Sequence, residues 1–167
     1  MGRLITALGL ALGLFGAASA RAADDPAYLV VGGGSWETLR DNFRSAEFDV
    51  AYRSDYKLWI FKPHAGLVVA KDGDVYGYTG LLTDLYWGKH VVTTISAAFG
   101  VYGGHGYNLG SHFEFRTGGE VGWRFDDASR LGVGLYHISN AGITRENGGE
   151  ESVLLQYSIP LGHMFGN

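Results

Sequence analysis

Residues 111–125 alternate between two kinds of side chain, and this alternation constrains the fold more than any other feature of the sequence. The odd positions carry Ser111, Phe113, Phe115, Thr117, Gly119, Val121, Trp123 and Phe125, and the even positions carry His112, Glu114, Arg116, Gly118, Glu120, Gly122 and Arg124. Successive side chains of a β-strand point to opposite faces of a sheet. The segment is therefore predicted to be a strand with one mostly apolar, aromatic face and one charged face.

Seven further segments have the composition of β-strands and are separated by clusters of Gly, Asp, Asn or Ser. The eight predicted strands span about 27–34, 44–54, 57–70, 74–87, 90–103, 110–125, 129–139 and 151–161. Eight is the smallest usual strand number of a transmembrane barrel, and most segments reach the roughly 9–11 residues that a tilted strand needs to cross a bilayer. The predicted fold class is all-β, an eight-stranded antiparallel transmembrane β-barrel.

Composition agrees with a barrel of this kind. The chain has 27 Gly, 10 Tyr, 9 Phe and 4 Trp, which suits strands bounded by aromatic girdles. It has no Cys, which excludes disulfides and thiol catalysis. The lumen of an eight-stranded barrel is just wide enough to be filled by side chains. The charged set His112, Glu114, Arg116, Glu120 and Arg124 is therefore predicted to pair inside the lumen rather than to form a second catalytic cluster.

The N-terminus has the pattern of a secretory signal peptide. Arg3 precedes an apolar run at 4–18 that ends in small residues. Of the two cleavage sites, Ala18-Ser19-Ala20 and Ala20-Arg21-Ala22, the second is preferred because Asp24 follows closely. We therefore expect a signal peptide at 1–22 and one barrel domain at 23–167. Without residues 1–22 the chain has 11 basic and 17 acidic residues, a net charge of −6, and nothing indicates nucleic-acid binding.

The seventh predicted strand ends with two reactive side chains on its lipid-facing side. His137 and Ser139 continue the apolar positions 131, 133 and 135. An imidazole and a hydroxyl are costly on the hydrocarbon side of a barrel unless they are hydrogen-bonded or near the interface, which argues for a function. In the alternative interpretation, His137, Ser139 and Asn140 only end a strand and open a loop, as Ser and Asn often do.

Glu151 on the eighth strand would complete a catalytic set. It shares a face with the apolar positions 153, 155, 157, 159 and 161, and the hairpin between the last two strands returns it beside His137 and Ser139. Glu150 points to the other face unless the register slips by one residue. In a Ser–His–Glu set the His takes the Ser proton, and the carboxylate orients the imidazole and stabilises its charged form.

The residues after Ser139 offer donors for an oxyanion hole, and the other histidines offer no metal site. Asn140 and the backbone N–H of Gly142 follow the serine closely enough to stabilise a tetrahedral intermediate. The remaining histidines show no metal-ligand spacing with one another; they are His64, His90, His105 and His163. No metal or organic cofactor is expected.

Several motifs resemble one known family. They are Ser129-Arg130-Leu131-Gly132, His137-Ile138-Ser139-Asn140-Ala141-Gly142, Asn147, Gly149, Glu151, Tyr157-Ser158-Ile159-Pro160-Leu161 and, upstream, Phe113-Glu114-Phe115-Arg116. Together they resemble the lipid A 3-O-deacylases called PagL, a family of outer-membrane esterases. The resemblance implies an eight-stranded barrel whose active site lies on its outer surface and uses a His-x-Ser pair with a Glu fourteen residues after the His.

The resemblance implies the same site residues as the strand parity. They are His137, Ser139 and Glu151, with Asn140 and Gly142 as the oxyanion donors. The sequence departs from the family pattern in two places. Asn147-Gly148-Gly149 stands where members often have Asn-Pro-Gly, so a more flexible or differently shaped loop is expected. Phe165 is followed by Gly166 and Asn167, whereas outer-membrane barrels commonly end in an aromatic residue.

The expected function is therefore that of a lipid A 3-O-deacylase in the outer membrane of a Gram-negative bacterium. Its substrate would be lipopolysaccharide, its surroundings outer-membrane lipid, and a homodimer is one option for its assembly. The main alternative is a non-enzymatic structural or adhesive barrel, in which His137 and Ser139 form a loop entrance. A second alternative is a soluble periplasmic barrel that binds a small apolar ligand, against which the charged face of 112–124 argues.

Overall fold

The computed structural model describes residues 25–162, which form a closed barrel of eight antiparallel strands. The strands are β1 (Tyr28–Trp36), β2 (Ser45–Arg53), β3 (Lys62–Ala70), β4 (Val75–Trp87), β5 (Val91–Gly103), β6 (Phe113–Arg124), β7 (Arg130–Ser139) and β8 (Glu150–Pro160). Each strand pairs with the next along the chain, and β8 pairs with β1 to close the barrel. The predicted fold class is confirmed. The signal peptide predicted at 1–22, His163 and the terminal Phe165-Gly166-Asn167 lie outside the described residues.

The start of β3 is the largest difference between the predicted and observed strands. Residues 57–61 are predicted to belong to the strand, but Leu58 and Phe61 instead close a tight turn through two backbone hydrogen bonds of 2.7 and 3.1 Å. Between them Trp59 has a φ of 64° and is 82% exposed. The prediction was wrong here because an apolar run in a turn has the same composition as the start of a strand.

The connections between strands lie at two opposite ends of the barrel. The loop end is formed by the connections at 37–44, 71–74, 104–112 and 140–149. The terminal end holds the connections at 54–61, 88–90 and 125–129 together with residues 25 and 162. Within residues 25–162, no helix is long and apolar enough to cross a membrane.

The outer surface of the barrel is apolar, as the alternation of β6 predicts. Exposed large hydrophobic side chains occur on every strand from β2 to β8, and on β6 they are Phe113, Phe115, Val121 and Trp123. Water-soluble monomers rarely expose a continuous apolar surface of this extent. The outer wall therefore suits the hydrocarbon region of a membrane.

The lumen is filled by charged and polar side chains. Near the terminal end, Lys62 and Arg130 both contact Asp25 and Asp84, with 2.5 Å between Lys62 Nζ and Asp84 Oδ2 and 2.5 Å between Arg130 and Asp25 Oδ1. All four side chains are almost fully buried. Buried charges of opposite sign stabilise one another only when they are paired in this way. Such a polar lumen is the opposite of the apolar cavity that a barrel binding a small apolar ligand requires.

Two members of the charged set on β6 pair inside the lumen as predicted, but their partners come from β2. Glu120 Oε2 lies 2.6 Å from the Arg53 guanidinium, and Arg116 lies 3.5 Å from Asp49 Oδ2. The prediction was wrong for His112, which does not point into the lumen. β6 begins only at residue 113, and the His112 side chain is exposed at the loop end. Its Nδ1 lies 3.0 Å from the backbone oxygen of Tyr102 at the edge of the ladder.

Candidate active site

His137 and Glu151 lie side by side on the outer surface of the barrel. They are direct partners in the β7–β8 ladder, and His137 Nδ1 lies 3.3 Å from Glu151 Oε1. Their side chains are 50% and 29% exposed. Because Nδ1 faces the carboxylate, the other ring nitrogen, Nε2, remains for a nucleophile, which is the arrangement of a Ser–His–acid set.

Ser139 is the last residue of β7, two positions after His137. Two positions along a strand return a side chain to the same face, so strand parity places both residues on one side of the sheet. Ser139 is half-buried and is the ladder partner of Phe115 on β6. Within residues 25–162, no hydrogen bond joins the serine hydroxyl to the imidazole. Catalytic hydrogen bonds are often long without substrate and tighten only in the reacting complex.

Glu150 takes the opposite face, as the parity of β8 predicts. Its side chain is fully buried, and its Oε1 accepts hydrogen bonds from the Glu37 N–H at 3.1 Å and from the Ser152 hydroxyl at 2.7 Å. Of the two adjacent carboxylates, only Glu151 can therefore act together with His137.

Asn140 organises the loop that follows Ser139. Its side chain is fully buried, its Nδ2 donates to the backbone oxygen of Glu146 at 2.7 Å and to Thr144 Oγ1 at 2.9 Å, and its Oδ1 accepts from the Gly142 N–H at 2.9 Å. The structure thus brings Asn140 and Gly142 together. The Asn140 amide also donates to the backbone oxygen of Leu109 in the neighbouring connection at 3.3 Å, and the role of both groups as oxyanion donors stays a prediction.

Gly149 is the last residue of the same loop and lies beside His137. Its φ is 67°, a left-handed conformation that favours glycine. A Cβ at this position would lie 3.1 Å from His137 Cε1. Glycine at position 149 therefore permits the left-handed turn and leaves room for the imidazole.

The β1–β2 connection reaches the site from the other side of the barrel seam. Thr38 donates its N–H to the backbone oxygen of Glu151 at 2.8 Å, and the Arg40 guanidinium lies 3.5 Å from Glu151 Oε2. Burial raises the pKa of the Glu37 carboxyl, whereas its hydrogen bond to Arg40 lowers that pKa. The same hydrogen bond raises the pKa of Arg40, which keeps its charge. These residues were not predicted as part of the site, because they meet Glu151 only when β1 pairs with β8.

An apolar cleft opens next to the His137–Glu151 pair. Its volume is about 410 Å³. Its apolar walls come from Leu39 of the β1–β2 connection, Leu135 of β7 and Val153 of β8. Gly118 on β6 also lines the cleft, and a Cβ there would meet the Leu135 backbone oxygen at 2.4 Å. The cleft has the chemistry of a binding site for a hydrocarbon chain.

The described part of the chain contains no group of three or more His, Cys, Asp or Glu side chains arranged to hold a metal ion.

A comparison with known families decides which family the chain belongs to. The profile described as lipid A 3-O-deacylase (PagL) matches residues 31–160, which run from within β1 to the end of β8. The chain belongs to the PagL family. Its predicted site residues His137, Ser139, Asn140, Gly142 and Glu151 all lie within the matched range.

One curated relative supports this membership over a shorter stretch. Lipid A deacylase PagL of Pseudomonas aeruginosa is 41% identical over 54 residues, which are 32% of this chain and 31% of the relative. The matched segment therefore spans about a third of the curated relative.

One solved structure supports the fold. The crystal structure of the outer membrane enzyme PagL superimposes with a TM-score of 0.60 at 21% identity, covering 80% of this chain and 99% of the other. The outer membrane protein Ail of Yersinia pestis gives a TM-score of 0.48 at 8% identity, over 79% of this chain and 99% of the other. The first comparison supports the eight-stranded PagL barrel as the fold of this chain.

Proposed function

We propose that this protein is an outer-membrane esterase that removes the ester-linked 3-hydroxyacyl chain from position 3 of lipid A in lipopolysaccharide. The observation that carries the proposal is the 3.3 Å contact between His137 and Glu151 on the outer wall of the barrel. Ser139 lies two residues after His137 on the same strand. Membership of the PagL family supplies the reaction and substrate class.

The proposed location follows from the barrel itself. An outer-membrane barrel with an even number of strands has both termini in the periplasm, which puts the loop end of this barrel at the cell surface. Lipopolysaccharide would then diffuse laterally to the ends of β7 and β8. Its acyl chains would lie along the apolar wall, and the ester would meet the site at the membrane interface.

In the proposed mechanism, His137 Nε2 takes the proton from Ser139 Oγ as the hydroxyl attacks the ester carbonyl. Glu151 stabilises the imidazolium that forms. When the tetrahedral intermediate collapses, the bond to the glucosamine oxygen breaks and the imidazolium gives that oxygen its proton. A water molecule, deprotonated by His137, then attacks the acyl-serine. When this second tetrahedral intermediate collapses, the bond to Ser139 Oγ breaks, the imidazolium returns its proton to Oγ, and the 3-hydroxy fatty acid is released.

Asn140 and Gly142 are proposed to bind the negative oxygen of the tetrahedral intermediate. The Gly142 N–H now donates to Asn140 Oδ1 at 2.9 Å, and Asn140 Nδ2 donates to the Glu146 backbone oxygen at 2.7 Å and to Thr144 Oγ1 at 2.9 Å. The oxyanion would replace acceptors of both groups. Backbone and side-chain donors of this kind stabilise charge that develops in the transition state. The cleft between Leu39, Leu135 and Val153 would hold the departing hydrocarbon chain.

The proposal is tested by incubating the purified, folded protein with lipopolysaccharide and then measuring the mass of the lipid A by mass spectrometry. The wild-type protein is expected to remove one hydroxyacyl chain, and Ser139→Ala to remove none. Ser111→Ala is the matched control, because this hydroxyl also lies at the loop end but bonds only to the nearby Phe113 N–H at 3.0 Å. Undiminished loss of the chain with Ser139→Ala would overturn the proposed site.

A further inference from the structure

We infer that Arg40 is a positioning residue for Glu151, an inference that rests on the proposed esterase function. The two oxygens of the Glu151 carboxylate have different neighbours. Oε1 faces His137 Nδ1 at 3.3 Å, and Oε2 faces the Arg40 guanidinium at 3.5 Å. The carboxylate is thus held between the imidazole that it orients and a permanently charged arginine.

The surroundings of Glu151 Oε2 make this arginine necessary. The oxygen is shielded from solvent and accepts no hydrogen bond from the residues described. A carboxylate oxygen removed from water is costly unless an opposite charge compensates it. Within residues 25–162, the ion-pair partners of Glu151 are His137 and Arg40, and of these only Arg40 is charged whatever the state of the imidazole.

Arg40 is itself held in place by contacts from three sides. It donates to Glu37 Oε2 at 2.5 Å, to the Gly148 backbone oxygen at 2.6 Å and to the Gly149 backbone oxygen at 2.8 Å. Its guanidinium also lies 4.7 Å from the centre of the Tyr107 ring. A planar guanidinium with five donors can satisfy several fixed acceptors at once, which lysine cannot.

The anchor of Arg40 is built into the turn that follows β1. Glu37 is fully buried and has a φ of 53°, a conformation that is unfavourable in a residue other than glycine. The Glu37 N–H is held by Glu150 Oε1 at 3.1 Å, which stabilises that conformation from the lumen side. The β1–β2 connection therefore presents a fixed arginine to the last strand of the barrel.

Arg40 has two effects on the proposed reaction. It fixes the orientation of the carboxylate toward His137, and it places a permanent positive charge beside the His137–Glu151 pair. The other titratable groups around Glu151 are His137 on β7, and Glu37 and Tyr107 on the loops that contact Arg40; Glu150 points into the lumen. A nearby positive charge disfavours the binding of a further proton, and Arg40→Gln removes that charge.

The experiment measures kcat and KM for release of the 3-hydroxy fatty acid from lipopolysaccharide by the full mature chain, across the pH range in which histidine titrates. Arg40→Gln is expected to lower kcat by about tenfold to hundredfold, as small misplacements of catalytic groups do, and to move the acid limb of the rate profile to higher pH. Arg40→Lys keeps the charge and should leave the acid limb near its wild-type position. Arg145→Gln, an exposed arginine of the β7–β8 connection, is the control and should keep the wild-type kcat and acid limb.

A double-substitution cycle separates action through Glu151 from a simple loop tether. If Arg40 acts through Glu151, Arg40→Gln has little further effect on kcat in the Glu151→Gln background, because coupled residues are not additive. An unshifted acid limb, or losses that multiply in the double variant, would overturn the inference. Failure of the proposed function is distinguishable, because the wild-type chain and Ser139→Ala would then be equally inactive whatever stands at position 40.

Discussion

His137 and Glu151 face each other directly across the β7–β8 ladder, with Nδ1 and Oε1 3.3 Å apart. Directly opposed residues of an antiparallel pair have the closest Cβ atoms in a sheet, so the strand register alone brings the two side chains together. The backbone hydrogen bonds of the ladder hold them at this spacing. A reactive pair carried by two strands is more rigid than one carried by loops.

The first prediction concerns the charge of Glu151. Glu151→Gln keeps the size of the side chain but removes the charge that stabilises the imidazolium, so kcat for deacylation is expected to fall on the order of 10²–10⁴-fold. Glu150→Gln is the matched control, because the neighbouring carboxylate points into the lumen and a Gln oxygen can still accept from Glu37 N–H. Steady-state rates with lipopolysaccharide check the pair; equal losses in both variants would contradict the assignment.

The second prediction concerns Asn140. Asn140→Ala removes the acceptor of the Gly142 N–H and a proposed oxyanion donor, and kcat is expected to fall about 10²–10³-fold. Thr144→Ala disturbs the same loop without removing a proposed oxyanion donor, since its hydroxyl accepts from Asn140 Nδ2 at 2.9 Å. Its kcat should stay near that of the wild-type protein. If Thr144→Ala loses as much kcat as Asn140→Ala, loop order rather than oxyanion binding explains the role of Asn140.

The strand faces were predictable because side chains alternate with a period of two. That rule was enough to put His137 outside, to select Glu151 over Glu150 and to predict a charged lumen around Arg116 and Glu120. The alternation rule needs only the local sequence of each strand. Strand ends were less predictable, because the rule does not tell where an apolar run such as 58–61 leaves the sheet and turns.

Contacts that depend on closure of the whole barrel were not predictable. Arg40 meets Glu151, and Asp25 meets Arg130, only when β1 pairs with β8 and all eight strands have their final register. No local pattern assigns a partner to a residue more than a hundred positions away.

The third prediction concerns the charged cluster at the terminal end of the lumen. Arg130→Met leaves Asp25 and Asp84 with Lys62 as their remaining ion-pair partner, so the free energy of unfolding should fall by about 3–5 kcal/mol. Urea titration of the barrel folded in lipid vesicles measures this change. Lys89→Met removes an ion pair from an exposed turn, where solvent screens the charges, and should leave the titration midpoint unchanged. Similar midpoints for both variants would contradict a stabilising role of the cluster.

The fourth prediction concerns the space between Gly149 and His137. Gly149→Ala adds a Cβ 3.1 Å from His137 Cε1, so the imidazole must shift by a few tenths of an ångström from Glu151. The left-handed backbone adds about 1–2 kcal/mol of strain. Gly88→Ala is the matched control, because Gly88 has a similar φ of 70°, lies in the 88–90 turn and has nothing within 4 Å of its added Cβ.

The two glycine variants therefore share the backbone strain and differ in whether they contact the histidine. Both should lower the melting temperature, but only Gly149→Ala should lower kcat, by about tenfold or more, because small misplacements of a catalytic group are costly. Thermal unfolding and deacylation rates measured on the same preparations separate the two effects. Equal kcat values for Gly149→Ala and Gly88→Ala would mean that the position of the imidazole is not set by the loop that contains Gly149.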